Sequence, residues 1–297
     1  MAKKLVQFDW AIKKLLRHKA NFAILEGFLT ELLGFDVKIK SILESEGNKE
    51  DSADKYNKVD ILVQASSGEL MLVEVQNDSQ LDYFHRMLYG ASKLITEYID
   101  QGDQYGRIKK VFSINIVYFN LGQGKDYVYE YNGHFEGRNL NDVLLPSHKQ
   151  QQDYSVSEVA DIFPKYYLLK VNNFDDVAKN TLDEWIYFLK NSEVKEYFSA
   201  KGLEEAREKL NEESLGEEDK ASYKRYQENK RVERSVLDTA VKEGIDKGRE
   251  EGREEGREEE KKEFVLKLSK KGLSASEIAD WLEVPVEDVE RIIKNFA

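Results

Sequence analysis

Residues 59–77 read VDILVQASSGELMLVEVQN. Two apolar, β-branched runs flank Ser66-Ser67-Gly68, the composition of a hairpin with strands near 58–65 and 69–76. Each run carries an acid where a half-buried strand has no need of one: Asp60 beside Ile61, and Glu74 between Val73 and Val75. Side chains alternate along a strand, so Leu70, Leu72, Glu74 and Gln76 share one face, as do Asp60, Leu62 and Gln64. A three-residue turn, with Gly68 as its left-handed residue, pairs Ala65 with Glu69 and sets Asp60 opposite Glu74. Directly opposed residues have Cβ atoms about 4.5–5.5 Å apart. A turn of two or four residues puts the acids on opposite faces.

Outward from the hairpin, residues 8–33 carry apolar side chains at helical spacing, with Gly34 as a stop. Residues 37–43, VKIKSIL, alternate as a strand, and the polar ESEGNKEDSADKYNK that follows reads as a loop. Beyond the hairpin come a helix from Leu81 to Asp100, ended by Gly102, and an apolar strand, VFSINIVYF, at 111–119. Residues 127–135 and 166–172 are candidates for further strands, and from Asn173 the pattern is helical to the end. The hairpin must be antiparallel, so this order predicts an α/β fold with a mixed central sheet flanked by helices, followed by a mostly helical C-terminal region. The expected divisions are a core at 1–172, a helical extension at 173–239, a charged segment at 240–263 and a small helix-turn-helix-like unit at 264–297.

In the charged segment Gly244, Gly248, Gly252 and Gly256 stand four apart. Each glycine costs a lone helix about 1 kcal/mol relative to alanine, while pairs such as Glu250–Arg253 return only tenths. Helix and solvated linker are therefore both open, and a helix there would favour self-association. In the last unit Ser274 and Glu277 form a capping box ahead of SASEIADWL, and a third helix follows Pro285. That helix offers Glu287, Asp288 and Glu290 beside Arg291 and Lys294, too acidic to read bases. A packing or oligomerisation role suits it better.

The chain has 297 residues, no cysteine and a net charge of −12. Thiolate metal sites and disulfides are excluded, and no run is long enough to span a bilayer, so a cytoplasmic protein without membrane partners is expected. The acidity weighs against nucleic acid as a partner. Charge is uneven, however: residues 1–130 hold 17 Lys+Arg against 19 Asp+Glu, and −10 lies downstream.

Two carboxylates close together in an apolar wall repel each other. A raised pKa on one of them relieves this, and so does a divalent cation. Without cysteine or clustered histidine, hard oxygen ligands favour magnesium, with manganese or calcium as alternatives. The bland reading is that Asp60 ends its strand in solvent and Glu74 is half exposed. No Gly-rich phosphate loop follows a strand, which leaves kinase-type chemistry unsupported.

Asp60, the hairpin and Glu74-Val75-Gln76 together resemble the D…(D/E)-x-K signature of the PD-(D/E)XK nuclease superfamily. The similarity is closest to the Rpn-like branch of recombination-promoting nucleases and transposases, in which the last position is often Gln. It extends through FDWAIKKLL, LEGFLTELLG, LDYFHRMLYGASK and VFSINIVYF to the Gly-Arg-Glu-Glu tail and the terminal KGLS unit. The resemblance implies a restriction-endonuclease-like core and a metal-dependent DNA endonuclease, linked to recombination or mobile elements and working as a homodimer or higher oligomer. Asp60, Glu74 and the Val75 carbonyl would hold the metal. Gln76 would take the lysine position and orient the attacking water. Glu26 is implied as an additional ligand or base, with Asp9 a further candidate. On the helix after the hairpin, Tyr83, Arg86 and Tyr89 would meet DNA. Arg86 can clasp a phosphate, or else form a salt bridge to a neighbouring acid. Gln76 lacks a lysine's charge, so the alternative function is a weakly active or inactive nuclease fold used for binding or assembly.

Overall fold

The computed structural model describes residues 5–43, 60–99 and 104–296. The loop expected at 44–58, the neighbouring Val59 and the stop at Gly102 lie outside the described residues. Six strands form one sheet: β1 (Ile39–Leu43), β2 (Ile61–Ala65), β3 (Leu70–Gln76), β4 (Val111–Val117), β5 (Val128–Tyr131) and β6 (Lys165–Lys170). Their order is β1-β2-β3-β4-β6-β5. β1, β2 and β3 pair antiparallel, β3, β4 and β6 parallel, and β5 antiparallel to β6. The expected α/β fold with a mixed sheet is what forms.

The β2/β3 turn has three residues. Gln64 pairs with Leu70 and Ile61 with Val73. The Ala65 N–H donates to the Glu69 carbonyl at 2.9 Å, and Gly68 has φ +109°. An L side chain is strained at that φ, so the glycine sets the turn.

Helix α3 (Tyr83–Glu97) bridges β3 and β4 and buries Tyr83, Met87, Ala91 and Leu94, a stripe at helical spacing. Leu62, Leu70, Leu72 and Val111 meet its Ala91 and Leu94, while Val117 and Leu168 meet Tyr83 and Met87. Val63, Met71, Val73 and Ile114, of opposite parity, are equally buried, so the sheet is covered on both faces. The apolar periodicity of 8–33 resolves into two helices, α1 (Phe8–Lys14) and α2 (Phe22–Leu33), parted by an extended His18 and a 3-10 turn at Lys19–Asn21. This break frees α1 to take its own direction.

Helix α4 (His148–Tyr154) precedes β6, and α5 (Thr181–Asn191) and α6 (Leu203–Lys209) follow it. Phe8 of α1 packs edge to face on Phe28 of α2 and on Trp185 and Phe188 of α5, with Phe8 and Phe28 centroids 5.7 Å apart, and Phe28 meets Trp185 at a tilt. The chain forms two compact units, Met1–Tyr223 and Lys224–Ala297, and α5 is built into the first through this cluster. Helix α7 runs from Glu217 to Lys270 and includes the glycine repeat, so that segment is helix rather than linker. In the second unit Val265 of α7, Ile278 and Ala279 of α8 (Ala275–Leu282) and Val289 of α9 (Val286–Phe296) form a small core. The capping box of Ser274 and Glu277 is formed.

Candidate active site

The β2/β3 ladder ends at Ile61–Val73, so Asp60 lies just before β2 and Glu74 just past the last β3 residue paired with β2. Asp60 is held by the backbone: its Oδ2 accepts from the Val75 N–H at 2.6 Å. A residue's N–H and C=O leave the same edge of an extended strand. The Val75 carbonyl therefore lies on Asp60's side, beyond Val73, the last residue of the ladder. Glu74 is 7% exposed, and its Oε2 meets Arg86 Nε of α3 at 3.3 Å. The salt bridge is thus the arrangement Arg86 adopts, and its Nη1 also reaches Gln80 Oε1 at 3.3 Å.

Helix α1 closes the other side. Lys13 Nζ lies 2.5 Å from Asp9 Oδ1 and 3.4 Å from Asp60 Oδ1. Asp9 Oδ2 accepts from Asn77 Nδ2 at 2.8 Å, and Arg17 Nη2 donates to the Asp60 backbone carbonyl at 2.6 Å. Gln76 shares the Glu74 face, and its side-chain amide donates to the Asp78 carbonyl at 3.4 Å.

Burial dominates the electrostatics. It pushes the Asp60 carboxyl above the ordinary aspartate value, against the pull of Lys13 and the Val75 N–H, and nearby Asp9 adds to the rise. It pushes Glu74 up as well, against Arg86, with the Asp60 charge adding to the effect. Burial opposes the Lys13 charge, but Asp60 and Asp9 together outweigh it and hold the ammonium above the usual lysine value. The Tyr83 hydroxyl is raised by burial and by the Glu74 charge, which keeps it protonated. It donates to Asn115 Oδ1 at 3.3 Å, and Asn115 Nδ2 donates to Ser113 Oγ at 3.0 Å. Asn115 neighbours Glu74 across the β3/β4 ladder, so this buried network backs the site.

Of the candidate residues, Asp60, Glu74, Val75, Gln76, Asp9, Arg86 and the buried Tyr83 converge on this end of the sheet. Tyr89 is 50% exposed on α3. Glu26 is engaged elsewhere. Its Oε1 accepts from the Ile39 N–H at 2.8 Å and its Oε2 meets Lys38 Nζ at 3.1 Å. Ile39 pairs with Ala65, the end of β2 remote from Asp60, roughly 16 Å along the strand. Glu26 fastens α2 to β1 and has no part in this cluster. Lys13, Arg17 and Asn77 were missed. The available signal was Lys13 at i+4 from Asp9, obscured because a lysine on an amphipathic helix reads as solvated.

Among the described residues no group of three or more His, Cys, Asp or Glu side chains is gathered to hold a metal. The donors present are two carboxylates and one carbonyl. Magnesium keeps several waters and needs only one or two protein carboxylates beside substrate phosphate, so this oxygen set fits it. Asp9, Asp60 and Glu74 face Lys13, Arg86 and Arg17, of which Arg17 bonds the Asp60 backbone rather than a carboxylate.

A family model described as a PD-(D/E)XK nuclease family transposase matches residues 6–240. No curated protein and no solved structure matches the chain.

Proposed function

The chain belongs to the PD-(D/E)XK nuclease family of transposases, and from that premise we propose that it is a magnesium-dependent DNA endonuclease. The observation that supports the reading is the three-residue turn, which brings Asp60 and the buried Glu74 to the same end of neighbouring strands. Asp60, Glu74 and the Val75 carbonyl would hold the ion. Bound magnesium supplies Lewis acidity, lowering the pKa of a water and offsetting charge on the scissile phosphate.

The chain's own groups do the rest. The Val75 N–H fixes one Asp60 oxygen and so presets the carboxylate. The Gln76 amide orients the attacking water. Arg86, now on Glu74, can turn a guanidinium N–H to a phosphate oxygen when the acid gains another counter-charge. In the hydrolysis the water oxygen bonds to phosphorus and passes a proton to solvent. The bond from phosphorus to one ester oxygen breaks, and that oxygen takes up a proton to leave as a hydroxyl.

Replacing Asp60 with Ala is expected to abolish magnesium-dependent nicking of plasmid DNA while the far-ultraviolet dichroism stays unchanged. Cleavage at the wild-type rate would refute the role. A second reading is an inactive module for binding or assembly, favoured by the neutral Gln76 and the Arg86–Glu74 pair. It predicts no rise in melting temperature in millimolar magnesium, since only a ligand of the folded state stabilises it.

A further inference from the structure

We propose that Lys13 on α1 supplies the cationic group that position 76 lacks, and that Asp9 and Asn77 position it. The inference rests on the nuclease reading. Phosphoryl transfer builds negative charge around phosphorus, and a preorganised donor facing that charge is worth far more in a closed site than in water. Gln76 is neutral and its amide is turned to the Asp78 carbonyl. The other cations beside the acids are engaged elsewhere: Arg86 bonds Glu74 and Gln80, and Arg17 bonds the Asp60 backbone.

Lys13 differs from both. Its Nζ lies 3.4 Å from Asp60 Oδ1, the oxygen that the Val75 N–H does not hold, and its side chain stays 43% exposed. An ammonium there faces both the proposed metal ligand and the solvent from which DNA arrives. Its place is set from behind. Asn77, one residue beyond Gln76, donates to Asp9 Oδ2 at 2.8 Å, and Asp9 Oδ1 holds Lys13 at 2.5 Å. Asp9 is 4% exposed, which leaves it little room to swing. The end of β3 thus fixes a lysine on another element close to its own acidic motif. Three freely rotating donors let that ammonium bond a water or a phosphate oxygen while remaining on Asp9.

The alternative is that Lys13 merely neutralises Asp9 and Asp60. The full-length chain separates the two through K13M, D60A and the double variant K13M/Q76K, with nicking in magnesium and calorimetric binding of calcium as independent readouts. The expected result is that K13M nicks at least about 100-fold more slowly. It should bind calcium as tightly as wild type or more tightly, because a positive charge has left the neighbourhood of Asp60. Lysine at position 76 should restore nicking at least about tenfold in the K13M background. Wild-type nicking with K13M within about threefold of it would overturn this inference alone. So would loss of calcium binding in K13M, or a folded, calcium-binding double variant with no recovery. If K13M fails to fold, K13Q carries the same expectations. A wild-type chain that does not nick in magnesium, and so equals D60A, overturns the nuclease reading and this inference with it.

Discussion

Asp60 is the residue on which stability and function pull in opposite directions. Burial holds Asp60 and Glu74 above ordinary carboxylate values. A carboxyl raised in the folded state contributes stability that is complete below its unfolded value, near 4, and is lost as pH rises through the folded value. Metal-free protein therefore loses this contribution as pH rises from about 4 through the folded values. Asp60→Asn keeps an acceptor for the Val75 N–H and sheds the charge, so melting in EDTA at pH 7.5 should show it more stable than wild type by about 1 kcal/mol. The advantage should shrink toward pH 4.5. In millimolar magnesium the order should reverse, because ionised carboxylates bind the ion and their binding strengthens as pH rises. A variant less stable than wild type in EDTA at pH 7.5 would show that Asp60 is well compensated by Lys13 alone. Of these residues, the two strand acids were legible from the two-residue period. Lys13 was not, since a charge on a helix carries no mark of what it faces.

Helix and strand placement explains which parts of the fold could be read. The hairpin was legible because alternation and Ser66-Ser67-Gly68 agree on one register. The α1/α2 break was hidden because apolar spacing runs on through Leu15 and Leu16 as if one helix continued. That break matters, since it is α1 alone that brings Asp9 and Lys13 to the sheet end. Glu26, a candidate through the family resemblance, bonds Ile39 and Lys38 and so ties α2 to β1. Against α2 lies the start of α6: a Cβ on Gly27 would sit 2.1 Å from the Lys201 carbonyl oxygen and 2.7 Å from Gly202 Cα. Both are backbone, so neither can rotate aside. Gly27→Ala is expected to destabilise by about 3 kcal/mol, read as a lower urea midpoint. An unchanged midpoint would mean the two helices separate without cost.

At the scale of the whole chain, helix α7 was undecidable from sequence, because the glycines cost a lone helix more than Glu–Arg pairs return, and only packing or helix on either side decides the outcome. Nothing approaches a Cβ built on Gly244, Gly248, Gly252 or Gly256. Replacing all four with alanine should raise helicity at 222 nm, each change adding about 0.8 kcal/mol to the helix. A drop in helicity would show that the glycines are needed against a partner backbone. A nuclease that cuts both strands needs two sites, so sedimentation is expected to give twice the 34.5 kDa chain mass; a monomer at micromolar concentration would limit the protein to nicking. Among the described residues no helix is long and apolar enough to cross a membrane. The acidic balance that weighed against DNA belongs mostly to the stretch after residue 130 rather than to the part holding the site.

The decisive measurement is anomalous diffraction from crystals soaked in manganese. One peak is expected within about 2.0–2.3 Å of a carboxylate oxygen of both Asp60 and Glu74, with Lys13 shifted from Asp60 but still on Asp9. Ordered carboxylates with no peak between them, or manganese bound at a different place in the fold, would contradict the account.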